Sequence, residues 1–256
     1  GELILALPGE TLESFCDGID KCIDGGQHDG LFVYLNRVLP GTEQADPVYR
    51  ALHGIETVRL PIQANHGSLD AATIGPVEYE ETVVATKTMP HADWLEAQRI
   101  AWFVEVFFVL GIARLPLLWL RERGVKVTDF ARWALRCDVL DRARIEAYLA
   151  SQDRGEPEVP RDGLEAFGDI RWPIEEASWL ALMLRKDKTY AAVLTLIEAF
   201  CDARGLDKYA VGVQANMTRI KHWTDGVSPA DPAEFAKTVL WYGRRGGSML
   251  RPEVES

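Results

Sequence analysis

The sequence is poor in residues that form disulfide frameworks or metal sites. Its 256 residues include only four cysteines: Cys16, Cys22, Cys137 and Cys201. Cys16 and Cys22 lie six positions apart, a spacing that matches neither a zinc CxxC pair nor an iron–sulfur triplet. The five histidines are scattered and fit no paired-histidine metal motif. We therefore expect no disulfide framework and no metal site built from the residues of this chain.

The sequence also lacks a long apolar run and an excess of positive charge. The most apolar segment, Ile100 to Ile112, contains Glu105 and has only about 13 residues, whereas a helix that crosses a bilayer needs about 20. Residues 1–9 have no basic leader and no small-residue cleavage site. The net charge of -11 argues against a protein that binds nucleic acid or an anionic membrane. These absences predict a cytoplasmic protein with neither partner.

The overall composition is that of a globular protein with a substantial core. Hydrophobic residues make up 47% of the sequence and charged residues 26%. The chain begins at Gly1 without a methionine and enters a strand-like pattern at once. Because domains seldom start inside a buried strand, we expect this chain to be a fragment of a longer polypeptide.

The first 40 residues have the pattern of a strand–helix–strand unit. Residues 2–7 are a short apolar run, typical of a strand buried on both faces. Thr11 is a suitable helix N-cap, and glycine at position 25 is typical of a helix end. A second apolar run follows at residues 31–35. Short connections of this kind predict two parallel neighbouring strands joined by a crossover helix.

The remainder of the sequence is predicted to be mainly helical. Residues 43–76 look irregular apart from a short helix at 47–52, and residues 79–88 have the Thr and Val content of a strand. Residues 153–169 have the composition of a linker or mobile loop. Further helices are predicted at about 94–112, 115–123, 127–136, 141–152, 174–186, 188–204 and 207–222, and a glycine-centred hairpin at 235–250. A stripe of aromatic residues at helical spacing is predicted to form a core face: Trp94, Trp102, Phe103, Phe107 and Phe108.

Four segments resemble radical S-adenosylmethionine (SAM) enzymes. Residues 2–11, Glu-Leu-Ile-Leu-Ala-Leu-Pro-Gly-Glu-Thr, resemble the signature of that family's fifth barrel strand, and residues 33–42 resemble its sixth strand and the loop that follows. Residues 79–94 and 241–247 are similar to the branch that carries a cobalamin-binding domain ahead of the barrel. The order and spacing of these segments are more specific than any one of them.

The resemblance implies an α/β fold that is mostly helical. Residues 1–90 would be the last strands of a partial radical SAM (β/α) barrel, of the TIM-barrel type. Residues 91–256 would be a helical accessory domain that ends in the β-hairpin. Barrels of this type place the active site at the carboxyl ends of their strands.

The resemblance also implies a cofactor-binding face on the first two strands. With a period of two, Glu2, Ile4 and Ala6 project to one side of the first strand. On that side Glu2 would accept hydrogen bonds from SAM, Ile4 would pack against adenine, and Ala6 would leave room for it. Tyr34 and Leu35 would border the adenine from the second strand. A solvated carboxylate at the start of the chain is the alternative interpretation of Glu2, and no catalytic residue is assigned.

The chemistry of the family requires a Cys-x3-Cys-x2-Cys segment for its [4Fe–4S] cluster, and the chain has none. The chain alone is therefore expected to be inactive. The leading hypothesis for the parent protein is reductive cleavage of SAM, with cobalamin-dependent methylation of a small-molecule substrate. One alternative is a cobalamin-independent radical SAM oxidoreductase. The other is a non-catalytic helical interaction domain, which predicts that Glu2 faces outward and that no cavity lies near the first two strands.

Overall fold

The computed structural model describes residues 1–28, 30–69, 76–155, 158–210, 212 and 214. The hairpin predicted at 235–250, and most of the helix predicted at 207–222, lie outside these residues.

The described residues form an α/β structure in which helices predominate, as predicted. The strands are β1 (Glu2–Leu5), β2 (Phe32–Leu35), β3 (Arg37–Val38), β4 (Glu56–Pro61) and β5 (Tyr79–Ala85). The α-helices are α1 (Leu12–Asp24), α2 (Pro47–His53), α3 (His91–Phe103), α4 (Arg114–Arg121), α5 (Val127–Ala134), α6 (Ala143–Gln152), α7 (Ile174–Met183) and α8 (Lys186–Arg204). A π-helix (Val104–Val109) continues α3, and single 3-10 turns lie at Glu43–Ala45 and Glu165–Phe167.

The predicted strand–helix–strand unit is confirmed. Strands β1 and β2 pair in parallel, with Ile4 opposite Tyr34. Helix α1 begins with a capping box, in which the Ser14 N–H donates to Thr11 Oγ1 at 3.1 Å and the Thr11 N–H donates to Ser14 Oγ at 2.9 Å. It ends at Gly25. In the described part of the chain the strands form two small sheets and no closed barrel, so the place of β1 and β2 in a barrel stays a prediction.

The turn after β1 is fixed by two side chains. Strand β1 ends at Leu5, and Ala6 takes a left-handed conformation with φ of 67°. The Ala6 N–H donates to Glu10 Oε2 at 2.7 Å, and the Asn36 side-chain amide donates to the Ala6 carbonyl at 3.1 Å. Ala6 is fully buried, whereas Ile4 is 45% exposed. The prediction that Ala6 shares a face with Glu2 and Ile4 is therefore wrong, because the alternation of the strand stops one residue before Ala6.

The second sheet has the strand order β3-β5-β4 and is antiparallel. The strand predicted at 79–88 is confirmed as β5, but β4 lies in the segment 43–76 that was predicted to be irregular apart from one helix. Local signals there are dominated by turn formers: Gly54 ends α2 in a left-handed conformation, and Pro61 ends the strand. Strand β4 exists because it pairs along its whole length with β5, whose partner residues lie 18 to 29 positions further along the chain. The Val83 N–H of β5 also donates to the Asn36 carbonyl at 2.8 Å, which connects the two sheets.

The helices share one hydrophobic core with the strand–helix–strand unit. The aromatic stripe is confirmed as part of this core, since each of its five members is at most 2% exposed. At the end of the π-helix, Arg114 Nε donates to the Phe108 carbonyl at 3.0 Å, and the same guanidinium binds the Val109 carbonyl. Helices α3 and α6 are joined by a bidentate ion pair in which both Arg99–Glu146 contacts measure 2.8 Å.

Within the described residues, no single helix combines the length and hydropathy needed to cross a bilayer. Among the described helices, α3 with its π-helix and α4 have the necessary length and hydropathy when they are taken together. The two are bent by 105° relative to each other.

The segment 153–169 is packed in its described part and does not have the character of a mobile linker. Leu164 and Phe167 are buried in the core. The Arg144 guanidinium donates to the carbonyl oxygens of Pro160 and Asp162, the latter at 2.9 Å. The composition of the segment was misleading because two large apolar side chains are enough to anchor it.

Candidate functional site

A cavity of about 390 Å³ lies between β2, the π-helix and the beginning of α7. A loop that contains residues 63–66 completes its wall. Its volume falls in the range of small-molecule sites in proteins. The lining includes three acidic side chains and several aromatic ones, among them Tyr34, Trp102, Glu105, Tyr148, Trp172, Glu175 and Glu176.

Glu105 connects the π-helix to the free edge of β2. Its Oε1 accepts the backbone N–H of Val33 at 3.0 Å, on the edge that faces away from β1. Burial holds the pKa of Glu105 well above its usual range, and the neighbouring Glu175 raises it further, while the bond from Val33 opposes the shift. π-helices are rare and are frequently found at functional sites. This one places a carboxyl group at the cavity wall.

Glu175 lies in the first turn of α7, close enough to Glu105 for their charges to interact. Burial raises the pKa of Glu175 to about 7. Its own backbone N–H and His66 lower this pKa, and the adjacent Glu176 raises it. Glu175 therefore changes its charge near neutral pH, which is typical of groups that bind or transfer protons in active sites.

The third acid, Glu176, is paired with a histidine whose backbone is strained. His66 Nε2 lies 2.6 Å from Glu176 Oε2. His66 has a φ of 60°, a left-handed conformation that residues other than glycine seldom adopt. Its N–H donates to the Arg171 carbonyl at 2.8 Å, and its ring meets that of Trp172 edge-on at 5.5 Å. Strained residues held in place in this way cluster at ligand sites.

Aromatic side chains supply much of the remaining wall. Burial raises the pKa of Tyr148 to about 12, so its phenol stays protonated at neutral pH. Trp102 Nε1 donates to Ser178 Oγ at 2.9 Å, which fixes the indole. Trp172 is 3% exposed, and its indole N–H has no acceptor in the described part of the chain.

The structure brings two of the five predicted site residues to this cavity, Tyr34 and Leu35. Glu2 and Ile4 are exposed and lie on the face of β1 opposite to Leu3 and Leu5, which point to the core. Tyr34, which is 48% exposed, lies beside Ile4 in the parallel register.

Ala6 lies outside both the cavity lining and this face. The residues that sequence reasoning missed are Glu105, His66 and Glu175. Of these three, Glu105 alone had a signal in the sequence, because it is the single charged residue between Ile100 and Ile112.

The cysteines do not fit the ligand set of a [4Fe–4S] cluster. Cys16 and Cys201 are buried. Burial raises the pKa of Cys16 to about 11, so its thiol stays protonated, whereas clusters bind thiolates. No group of three or more His, Cys, Asp or Glu side chains in the described residues could hold a metal ion.

No family model matches the chain. Two curated relatives do. One is the cobalamin-dependent radical SAM methyltransferase TokK of Streptomyces tokunonensis, 26% identical over 281 aligned positions that cover 98% of this chain and 39% of the relative. The other is the 2-(S-pantetheinyl)-carbapenam-3-carboxylate methyltransferase of Streptantibioticus cattleyicolor, 27% identical over 80% of this chain and 32% of the relative.

The chain thus spans 39% and 32% of the lengths of the two curated relatives. The similarity to the first relative confirms the predicted resemblance to cobalamin-dependent radical SAM enzymes, and the second relative is likewise a methyltransferase.

Proposed function

We propose that this chain is the C-terminal part of a radical SAM enzyme that methylates a small molecule with the help of cobalamin, in the cytoplasm. The observation that carries the proposal is the parallel pair β1–β2 with the cavity at its side. The motifs in residues 2–11 and 33–42 coincide with these strands and the turns after them. The similarity to two methyltransferases supports the type of reaction.

On this proposal the exposed face of β1 and β2 binds the adenosine of SAM. Glu2 provides a carboxylate for hydrogen bonds, and Ile4 and Tyr34 provide an apolar surface for the adenine. In the parent protein, a bound cluster would supply the electron for the cleavage of SAM, and cobalamin would carry the methyl group. The cluster ligands would come from residues outside this chain, because the cysteines present here do not fit them.

The cavity is proposed to hold the substrate. It borders Tyr34 and Leu35, so a ligand within it would lie next to the adenosine site. The π-helix, α6 and α7 enclose its other sides and would exclude water from the reacting groups. The non-catalytic alternative predicted an outward Glu2 and no cavity near the first two strands. The exposed Glu2 agrees with that alternative, whereas the cavity favours the enzymatic hypothesis.

The experiment uses the complete gene product, purified without oxygen and reconstituted with iron and sulfide. With SAM and a reductant, we expect it to form 5′-deoxyadenosine. The Ile4→Asp and Tyr34→Ala variants should form it more than about tenfold more slowly, since a charge or a void would face the adenine. Tyr209→Ala is the matched control, because Tyr209 is 81% exposed and lies far along the chain. Full activity in both test variants would overturn the proposed adenosine site.

A further inference from the structure

We infer that the cavity binds a protonated primary amine between Glu105 and Glu175, so the ligand is a small organic cation. This deepens the proposed function and rests on it, since it names a substrate class for the same cavity.

The two carboxyl groups lack a cationic partner of their own. Neither Glu105 nor Glu175 forms an ion pair in the described part of the chain. The cations nearby are engaged elsewhere: Arg37 Nε lies 2.9 Å from Glu80, and His66 lies 2.6 Å from Glu176. Buried carboxyl groups are costly to ionise unless a positive charge accompanies them.

Arg171 also lines the cavity, but it is not among the groups that lower the pKa of Glu105 or Glu175. A ligand ammonium would therefore supply the charge that the cavity lacks. It would also displace the proton that burial leaves on the pair, so its binding would be coupled to proton release.

The aromatic wall is suited to the same cation. Tyr34, Trp102, Tyr148 and Trp172 all line the cavity, and the faces of aromatic rings attract ammonium groups. Aromatic side chains around the ligand are the usual composition of sites that recognise organic ammonium groups.

The buried indole of Trp172 points to a ligand independently of the acids. Its N–H has no acceptor in the described structure, and buried donors in native proteins nearly always have one. This N–H is buried in the cavity wall, so a ligand oxygen would become its acceptor only with a small shift of the indole.

The test is direct binding to the full chain at about pH 8, which is above the pKa of about 7 of Glu175. The probes are 2-phenylethylamine and its neutral analogue 2-phenylethanol, measured by titration calorimetry or saturation-transfer NMR. We expect the amine to bind at least about tenfold more tightly than the alcohol. Glu175→Gln should remove this difference and leave the affinity for the alcohol unchanged.

The control is Glu122→Gln, which removes an exposed acid on another helix end and should change neither affinity. Equal affinities for the two probes, no binding of the amine in the millimolar range, or an unchanged preference in Glu175→Gln would each overturn the inference. Glu175→Gln carries the test because Glu105→Gln also alters the contact with Val33, and its folding is checked by circular dichroism. Binding needs no turnover, so a failure here leaves SAM cleavage as a separate test of the proposed function.

Discussion

At the scale of single residues, Glu175 is subject to two opposing effects. The free N–H groups at the start of α7 favour its carboxylate, and burial disfavours it. Burial prevails, and the pKa rises from 4.5 to about 7. Between these values the folded state holds more protons than the unfolded state. The free energy of unfolding should therefore fall as the pH rises from about 5 to about 8.

Glu175→Gln tests this balance, since glutamine has the same shape and no charge. We expect the variant to lose most of that pH dependence and to be more stable than the parent chain by roughly 1–3 kcal/mol at about pH 8. Urea unfolding at the two pH values measures the effect. An unchanged slope in the variant would show that Glu175 ionises normally, and Glu122→Gln should behave like the parent.

Asn36 joins the turn after β1 to the second sheet. Its side-chain amide donates to the Ala6 carbonyl, and its own carbonyl accepts the Val83 N–H. Because Asn36 is 4% exposed, Asn36→Ala would leave a buried carbonyl without a donor. We expect a loss of about 1–3 kcal/mol in the free energy of unfolding. Thr195→Ala, at an exposed helix position, should cost much less, and equal losses would contradict the role of Asn36.

At the scale of elements, α1 depends on its capping box. Thr11→Ala removes the acceptor for the Ser14 N–H and should lower stability by about 1 kcal/mol. Thr11→Ser keeps the hydroxyl and should stay within a few tenths of a kcal/mol of the parent. Thermal melting of the three proteins measures the difference. A Thr11→Ser variant as unstable as Thr11→Ala would show that the methyl group, not the hydrogen bond, matters.

The elements that the sequence predicted correctly are those with local signals. Helix α1 has a cap at Thr11 and a glycine at its end, and the parallel pairing of β1 and β2 follows from their short connections to it. Strand β4 was missed because its formation depends on pairing with a distant strand. The π-helix was missed as well, since its apolar sequence is equally compatible with a continued α-helix.

At the scale of the whole molecule, the cavity assembles residues that are remote in sequence. Tyr34 and Leu35 were predicted because they lie in a recognisable strand motif. His66 and Glu175 have no such signal, and they line the same cavity only because the loop around residues 63–66 packs on the start of α7, where His66 contacts Glu176. Sequence reasoning located one wall of the site and not its acidic part, because that part is created by tertiary contacts.

On the proposed function, this chain works with a SAM-binding iron–sulfur cluster held by other residues of the same gene product. Electron paramagnetic resonance of the reconstituted and reduced gene product detects such a cluster. We predict the signal of a reduced [4Fe–4S] cluster that changes when SAM is added, and a Cys-x3-Cys-x2-Cys segment encoded upstream of residue 1. A gene product that binds no cluster, or a cluster whose signal SAM leaves unaltered, would contradict the claim.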